Sequence, residues 1–210
     1  MLEPSGLYYP NRFARFFLKG MQDALGHDGY AAIRDVAGLT TYLSEWPPDT
    51  MDKQFDFAYM AALAEGLEEL YGGRGGRGVA LRIGRAWFDK GFKDFGAMAG
   101  FSHPAFAALP LDSQARIGLD ALRNVFEQYS DQETSLQEEE DVYQLTIETS
   151  PMAWGRRTDK PVCHALVGLI QGCLHRASNG HEYHVREQTC SAVGHDECMF
   201  LINKQAIGQL

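Results

Sequence analysis

The segment Arg186–Cys198, "REQTCSAVGHDEC", decides how the last third of the chain must fold. It holds two of the four cysteines, eight residues apart, with Glu187 three residues before the first of them. A fully extended chain would separate Glu187 from Cys190 by about 10 Å, at ~3.3 Å per residue. A bend before Cys190 and a turn at Gly194 would instead bring both cysteines together. The segment therefore predicts a turn that gathers two thiols and one carboxylate.

The sequence on both sides of this turn alternates between apolar and polar residues. "HEYHVREQ" (181–188) precedes it, "CMFLIN" (198–203) follows it, and "EDVYQLTIET" (140–149) has the same pattern earlier in the chain. Such alternation predicts half-buried strands. Between them, "KPVCHALVGLIQGCLHRASNG" (160–180) has apolar residues at helical spacing, and Pro161 suits a first helical turn.

The first 130 residues have a helical pattern. Apolar periodicity predicts helices over 11–26, 31–36, 51–72, 79–100 and 111–130, with Asn11 as a cap, Gly26 as an end signal and a break at 45–50. A run of helices followed by strands with one helix among them predicts an α+β fold with an antiparallel sheet. We expect a single domain over residues 1–210, with a helical part over about 1–130 and a part with the sheet over about 131–210.

The glycine-rich segment "GGRGGRG" (72–78) contains the pattern G-x-G-x-x-G. A dinucleotide site requires a strand before this loop, whereas the preceding residues predict a helix. We therefore interpret 72–78 as a flexible cationic turn, in which Arg74 and Arg77 remain available to an acidic ligand or a partner.

The composition limits the possible functions and locations. A net charge of −9 argues against nucleic-acid binding and against adhesion to anionic membranes. No apolar run reaches the ~20 residues that span a bilayer. The first residues, "MLEPSGLYYP", lack the layout of a signal peptide, so we expect a cytoplasmic protein with reduced thiols.

Reduced cysteines in such a pattern are typical of metal ligands. Glu187, Cys190 and Cys198 are three candidate ligands for a tetrahedral zinc site, and Cys163 at the start of a predicted helix is a fourth. Three histidines are alternatives to Cys163 or Glu187: His164, His184 and His195. A disulfide and two unrelated buried thiols are the other interpretations of the pair. Cys173 lies on the apolar stripe of the predicted helix and is expected in the core.

"PVCHALVGLIQG" and "YHVREQTCSAVGHDECMFLI" resemble the C-terminal signature of the 4-vinyl reductase domain family, which is named after a bacteriochlorophyll-biosynthesis protein. They also resemble the sensor domains of aromatic-responsive transcription regulators. The specific resemblance covers about 161–202. In those sensors, a glutamate and a cysteine separated by two residues, then a second cysteine seven residues on, bind zinc together with an upstream cysteine. That implies structural zinc on Glu187, Cys190, Cys198 and Cys163, or His164 after a shift of one residue.

The resemblance also implies an internal apolar pocket for an aromatic or tetrapyrrole-like ligand, and a homodimer. A content of 12 Phe, 9 Tyr, 3 Trp and 7 Met suits an adaptable pocket of this kind. Its candidate lining residues, which are also typical of an ordinary core, are Phe13, Phe17, Phe57, Trp87, Phe88, Phe92 and Trp154. We favour a ligand-binding, carrier or sensor module over an enzyme, because no nicotinamide or flavin fingerprint accompanies the family name. A reductase acting on a vinyl group of a chlorophyll precursor and a protein-interaction scaffold are the alternatives.

Overall fold

The computed structural model describes residues 2–92 and 100–208 of the chain. Helices and short strands form the first part, and a four-stranded antiparallel sheet with one helix forms the second, so the predicted α+β class is confirmed. The elements in chain order are β1 (Tyr8–Pro10), α1 (Asn11–Val36), β2 (Lys53–Asp56), α2 (Phe57–Phe92), α3 (Pro104–Ala107), α4 (Leu111–Tyr129), β3 (Thr134–Glu138), β4 (Val142–Ile147), α5 (His164–Ala177), β5 (Tyr183–Thr189) and β6 (Cys198–Ala206). Short 3-10 turns cover Gly100–Ser102 and Ser191–Val193.

The strands of the larger sheet have the order β3-β4-β6-β5, and all neighbours are antiparallel. On β4 the side chains of Tyr143, Leu145 and Ile147 are buried and the residues between them are half-buried, as the alternation predicts. Because β6 lies between β4 and β5, its first residue, Cys198, pairs with Ile147 on one side and follows the turn from β5 on the other.

The two long helices are each interrupted by a single glycine. Gly26 in α1 (φ 75°) and Gly72 in α2 (φ 69°) have left-handed backbones, and the chain returns to helix directly after each. Gly26 therefore ends the first helical stretch as predicted, but the next stretch starts at once. The predicted flexible turn over 72–78 is wrong, because one glycine with positive φ redirects the chain and residues 73–78 are helical.

Three short features differ from the sequence-based prediction. Residues 53–56, predicted as helix, form β2 and pair with β1, which was not predicted. β3 was also missed, since its sequence does not alternate clearly. Asn11 does not cap α1: its side-chain amide donates hydrogen bonds to Thr50 (3.3 Å) and Gln54 (2.8 Å). The predicted helix over 79–100 continues α2 to Phe92, and residues 93–99 lie outside the described part.

Helices α2 and α5 pack with their backbones in direct contact. A Cβ atom placed on Gly84 would lie 1.9 Å from the carbonyl oxygen of Ala165, and one placed on Gly168 would lie 2.2 Å from that of Leu81. Both distances are far below any van der Waals contact, so only glycine fits at this crossing. The close packing fixes the start of α5 relative to α2. Within residues 2–92 and 100–208, no helix is long and apolar enough to cross a membrane.

Candidate metal centre and neighbouring cavities

Four predicted ligands lie together at one end of the larger sheet. One donor atom from each of Cys163, Glu187, Cys190 and Cys198 lies within 4.8 Å of the other three. The Sγ atoms of Cys163 and Cys198 are 3.7 Å apart. A tetrahedral zinc ion with Zn–S bonds of ~2.3 Å requires thiolate sulfurs about 3.8 Å apart. The cluster is therefore close to the dimensions that a zinc ion needs.

The fold positions each of the four ligands differently. Cys163 is the residue before α5, so the helix starts later than the sequence predicted and Pro161 lies outside its first turn. Glu187 lies near the end of β5, and Cys190 follows that strand. The 3-10 turn and Gly194, with φ of 108°, reverse the chain so that Cys198 opens β6. The bend and turn predicted from the segment 186–198 are thus both present.

The hydrogen bonds of the cluster leave one strong acceptor free. Oε2 of Glu187 accepts a hydrogen bond from the backbone N–H of Cys163 at 2.8 Å. Its other oxygen, Oε1, is buried and has no hydrogen-bond partner within the described residues. The Ser191 N–H lies 3.3 Å from the Sγ of Cys198, and the Ser150 hydroxyl lies 3.1 Å from that of Cys163. A buried carboxylate oxygen without a partner is costly, and a cation among the three thiols would satisfy it.

The electrostatics of the cluster are those of acidic groups crowded in a buried space. Hydrogen bonds from Cys163 and Cys190 lower the pKa of Cys198 to about 3. Burial, followed by the nearby Cys190, raises the pKa of Glu187 to about 8. Burial also raises the pKa of Cys163 well above its ordinary value. Without a cation the four groups must share protons, and a bound metal would displace them.

The remaining cysteine and the alternative histidines lie outside the cluster. Cys173 is fully buried and its thiol points to the Gly118 carbonyl at 3.3 Å, which agrees with the predicted core position. All four cysteines are free thiols. His184 is exposed, and Nδ1 of His195 lies beside the backbone of Cys190 rather than among the ligands. His164 is half-buried in the adjacent cleft, where burial and then Arg77 lower its pKa to about 4.

The predicted pocket aromatics are mostly packed against one another. Tyr9 is the centre of the group, with ring centroids 4.9 Å from Phe57, 5.9 Å from Phe13 and 5.8 Å from Trp87. Phe17 packs edge-on against Trp87 at 5.2 Å. The remaining candidates lie apart: Phe88 is buried, Trp154 is half-buried against the core, and the side chain of Phe92 lies outside the described residues.

A small internal cavity borders this aromatic group. Its volume is about 10 Å³, close to what one water molecule needs. It lies between α1, α2 and the start of α5 and is lined by Phe17, Met21, Ala64, Leu67, Glu68, Ala80, Ile83, Val162 and Ala165. Among the predicted lining residues, Phe17 is the one that borders this cavity. Val162, which precedes Cys163, joins the cavity wall to the metal candidate.

A larger cleft opens beside the metal candidate. Its volume is about 830 Å³, and its charged or titratable lining residues are Glu68, Arg74, Arg77, Asp159, Lys160, His164, Arg186 and Glu187. Glu68 borders both the cavity and the cleft and forms an ion pair with buried Arg156 at 2.7 Å. Sequence reasoning identified Arg74 and Arg77 as free cations but missed the cleft, because no local pattern shows that residues 158–162 fold over α2.

Comparison with known proteins places this region in a family. Residues 143–204 match the model of the vinyl-4-reductase domain, and all four clustered ligands lie inside that segment. The predicted resemblance to the 4-vinyl reductase domain is thereby confirmed for this part of the chain. No curated protein matches the chain.

Several solved structures resemble the chain. An Fe(II) unliganded H-NOX protein from K. algicida is 13% identical, with 96% of this chain and 99% of that chain covered and a TM-score of 0.55. The phenol-responsive sensory domain of the transcription activator PoxR, solved with phenol, is 21% identical over 69% of this chain and 73% of that chain, with a TM-score of 0.47. A vinyl-4-reductase family protein from Methanocaldococcus jannaschii is 16% identical over 61% and 90%, with a TM-score of 0.36. The likeness to the H-NOX protein extends over nearly the whole of both chains and shows a shared fold.

Proposed function

We propose that this chain, whose residues 143–204 match the vinyl-4-reductase domain, binds a small apolar aromatic molecule and holds one structural zinc ion. The observation that carries the proposal is the cluster of three thiols and one carboxylate directly beside an apolar cavity. We assign the chain to a sensor or carrier role, in which occupancy of the cavity is communicated to a partner.

The ligand set favours zinc over the common hard cations. Three cysteine sulfurs and one carboxylate oxygen suit a borderline-soft ion, whereas magnesium and calcium prefer oxygen alone. Four protein ligands close the coordination shell, which is typical of a structural site. Such an ion would join the start of α5 to the turn between β5 and β6, and its binding energy would add to the folding energy.

The cavity favours a small ring over a tetrapyrrole. With about 10 Å³ of free space, even a single aromatic ring requires the lining side chains to move. Met21 is suited to this, because its unbranched side chain adapts readily. A tetrapyrrole-like ligand would need the cleft of about 830 Å³ instead. We therefore place a phenol-sized molecule in the cavity, against Phe17 and Ile83.

The zinc proposal is tested by elemental analysis of protein purified without chelators. We expect one zinc per chain in the wild type and none in the Cys190→Ser, Cys198→Ser double variant. Cys163→Ala should also lose zinc, whereas His164→Ala should keep it. Zinc far below one equivalent in the wild type, or retained by the double variant, would overturn the assignment.

The ligand proposal is tested by the melting temperature in the presence of phenol and, separately, of protoporphyrin. Phenol at about 100 times its Kd should add ~2.7 kcal/mol, or roughly 5–10 °C. Ala64→Leu, which fills the cavity wall, should abolish the shift. Ala121→Leu on α4 is the matched control, since Ala121 is also half-buried but does not line the cavity. A phenol response that survives Ala64→Leu, or is absent from the wild type, would contradict the cavity as the site.

A further inference from the structure

The cleft beside the metal candidate is cationic in a chain of net negative charge. Arg74 and Arg77 on α2, Lys160 before α5 and Arg186 on β5 all line it. None of the four forms an ion pair with any residue in 2–92 or 100–208. Four unpaired cations around one concavity, in a chain with a net charge of −9, favour an anionic occupant.

The acidic residues of the cleft do not cancel this charge. Glu68 is paired with Arg156, whose guanidinium is buried behind the cleft wall. Glu187 directs one oxygen at the Cys163 N–H and belongs to the metal candidate. Asp159 is the one acidic lining residue without either role, and it is exposed. An excess of positive charge therefore faces the cleft.

The backbone and the apolar lining complete a site for a small molecule. Gly73, the first residue after the break in α2, lines the cleft, and a Cβ placed on it would have no atom within 4 Å. A ligand can therefore approach the backbone of this helical turn closely. The apolar part of the lining is formed by Leu81, Val162, Val167 and Val185. The cleft thus combines an apolar wall with a cationic rim.

We propose that this cleft binds a small molecule that carries an oxyanion, a carboxylate or a phosphate, held by Arg74, Arg77 and Arg186. The guanidinium groups supply paired N–H donors that match both kinds of oxyanion. The valine and leucine side chains contact the remainder of the ligand. This site is distinct from the internal cavity proposed for the neutral aromatic ligand, and it uses the arginines of the glycine-rich segment.

The test is a calorimetric titration at constant ionic strength with two probes, inorganic phosphate and the aromatic dicarboxylate phthalate. We expect the wild type to bind at least one of them, and we expect the Arg74→Gln, Arg77→Gln double variant to bind it about tenfold more weakly, because two charge-assisted contacts are lost. The matched control is Arg82→Gln, Arg157→Gln, which removes the same charge from exposed residues outside the cleft lining. It should change the affinity less than twofold.

Each outcome decides the proposal. Binding of phthalate alone identifies a carboxylate ligand, and binding of phosphate alone identifies a phosphate ligand. If the wild type binds neither probe at millimolar concentrations, or if the control loses as much affinity as the cleft variant, the proposal is wrong. Zinc content and the phenol response of the cleft variant should equal those of the wild type, so a failure here is distinguishable from a failure of the proposed function.

Discussion

Replacing Gly84 with alanine should separate α2 from α5 and destabilise the protein. The added Cβ would lie 1.9 Å from the Ala165 carbonyl oxygen and 2.7 Å from the Leu169 nitrogen, both backbone atoms that cannot rotate away. Reaching a tolerable contact of about 3.0 Å requires the helices to move apart by roughly 1.1 Å, the difference between these two values. Overpacking of this kind costs about 3 kcal/mol, and the better helix propensity of alanine offsets about 1 kcal/mol.

The net loss of about 2 kcal/mol corresponds to a melting temperature roughly 4–8 °C below that of the wild type, for a chain of this size. Thermal and urea denaturation measure it. Gly78→Ala is the control on the same helix: no atom lies within 4 Å of the methyl group that alanine would add there, so it should stabilise the protein by ~0.5–1 kcal/mol. Gly84→Ala should also lower zinc retention, since Cys163 moves with α5. A Gly84→Ala melting temperature equal to that of the wild type would refute the close crossing.

Three further predictions concern the rest of the molecule. Cys173→Ala should keep full zinc content and cost about 1–2 kcal/mol in urea denaturation, as a core truncation away from the cluster; loss of zinc would contradict this. Burial raises the pKa of Asp56, but hydrogen bonds from Ser5, Ala58 and Gly6 outweigh it and hold the pKa below 3.8. Its stabilisation is therefore present above the unfolded pKa and lost as the pH falls through the folded value, so Asp56→Asn should cost about 1 kcal/mol at pH 7 and nothing near pH 2. Light scattering should give twice the chain mass of 23.4 kDa, and a constant monomer mass over a wide concentration range would exclude the predicted dimer.

Local patterns predicted those parts of the fold that depend on local sequence. The alternation at Tyr143, Leu145 and Ile147 and the spacing of the cysteines around Gly194 were sufficient to predict β4 and the turn. The segment 53–56 was predicted as helix because its apolar residues continue the spacing of α2, whereas its pairing with Tyr8 and Tyr9 lies some 46 residues away along the chain. Long-range pairing of short strands leaves no periodic signal.

The candidate site was predicted in its ligands but not in its surroundings. The spacing of Glu187, Cys190 and Cys198 constrains three ligands within one turn, and Cys163 followed from its position before a helix. The crossing at Gly84 and Gly168 has no counterpart in the sequence pattern, because a glycine inside a helix does not reveal which backbone lies against it. The cleft depends on that crossing and on residues 158–162, so its arginines had no predicted partner.

The order of the larger sheet also bears on how copies of this chain can associate. Its outer strands are β3 and β5, and an open strand edge is a template for pairing with another chain. β3 is only five residues long and leads into the acidic run 138–141, while β5 presents the exposed polar side chains of His184, Arg186 and Gln188. Short, charged edges of this kind oppose the extension of a sheet from one molecule to the next. A regulated dimer of this protein should therefore assemble through its helices, which keeps reversible association separate from the route to aggregation.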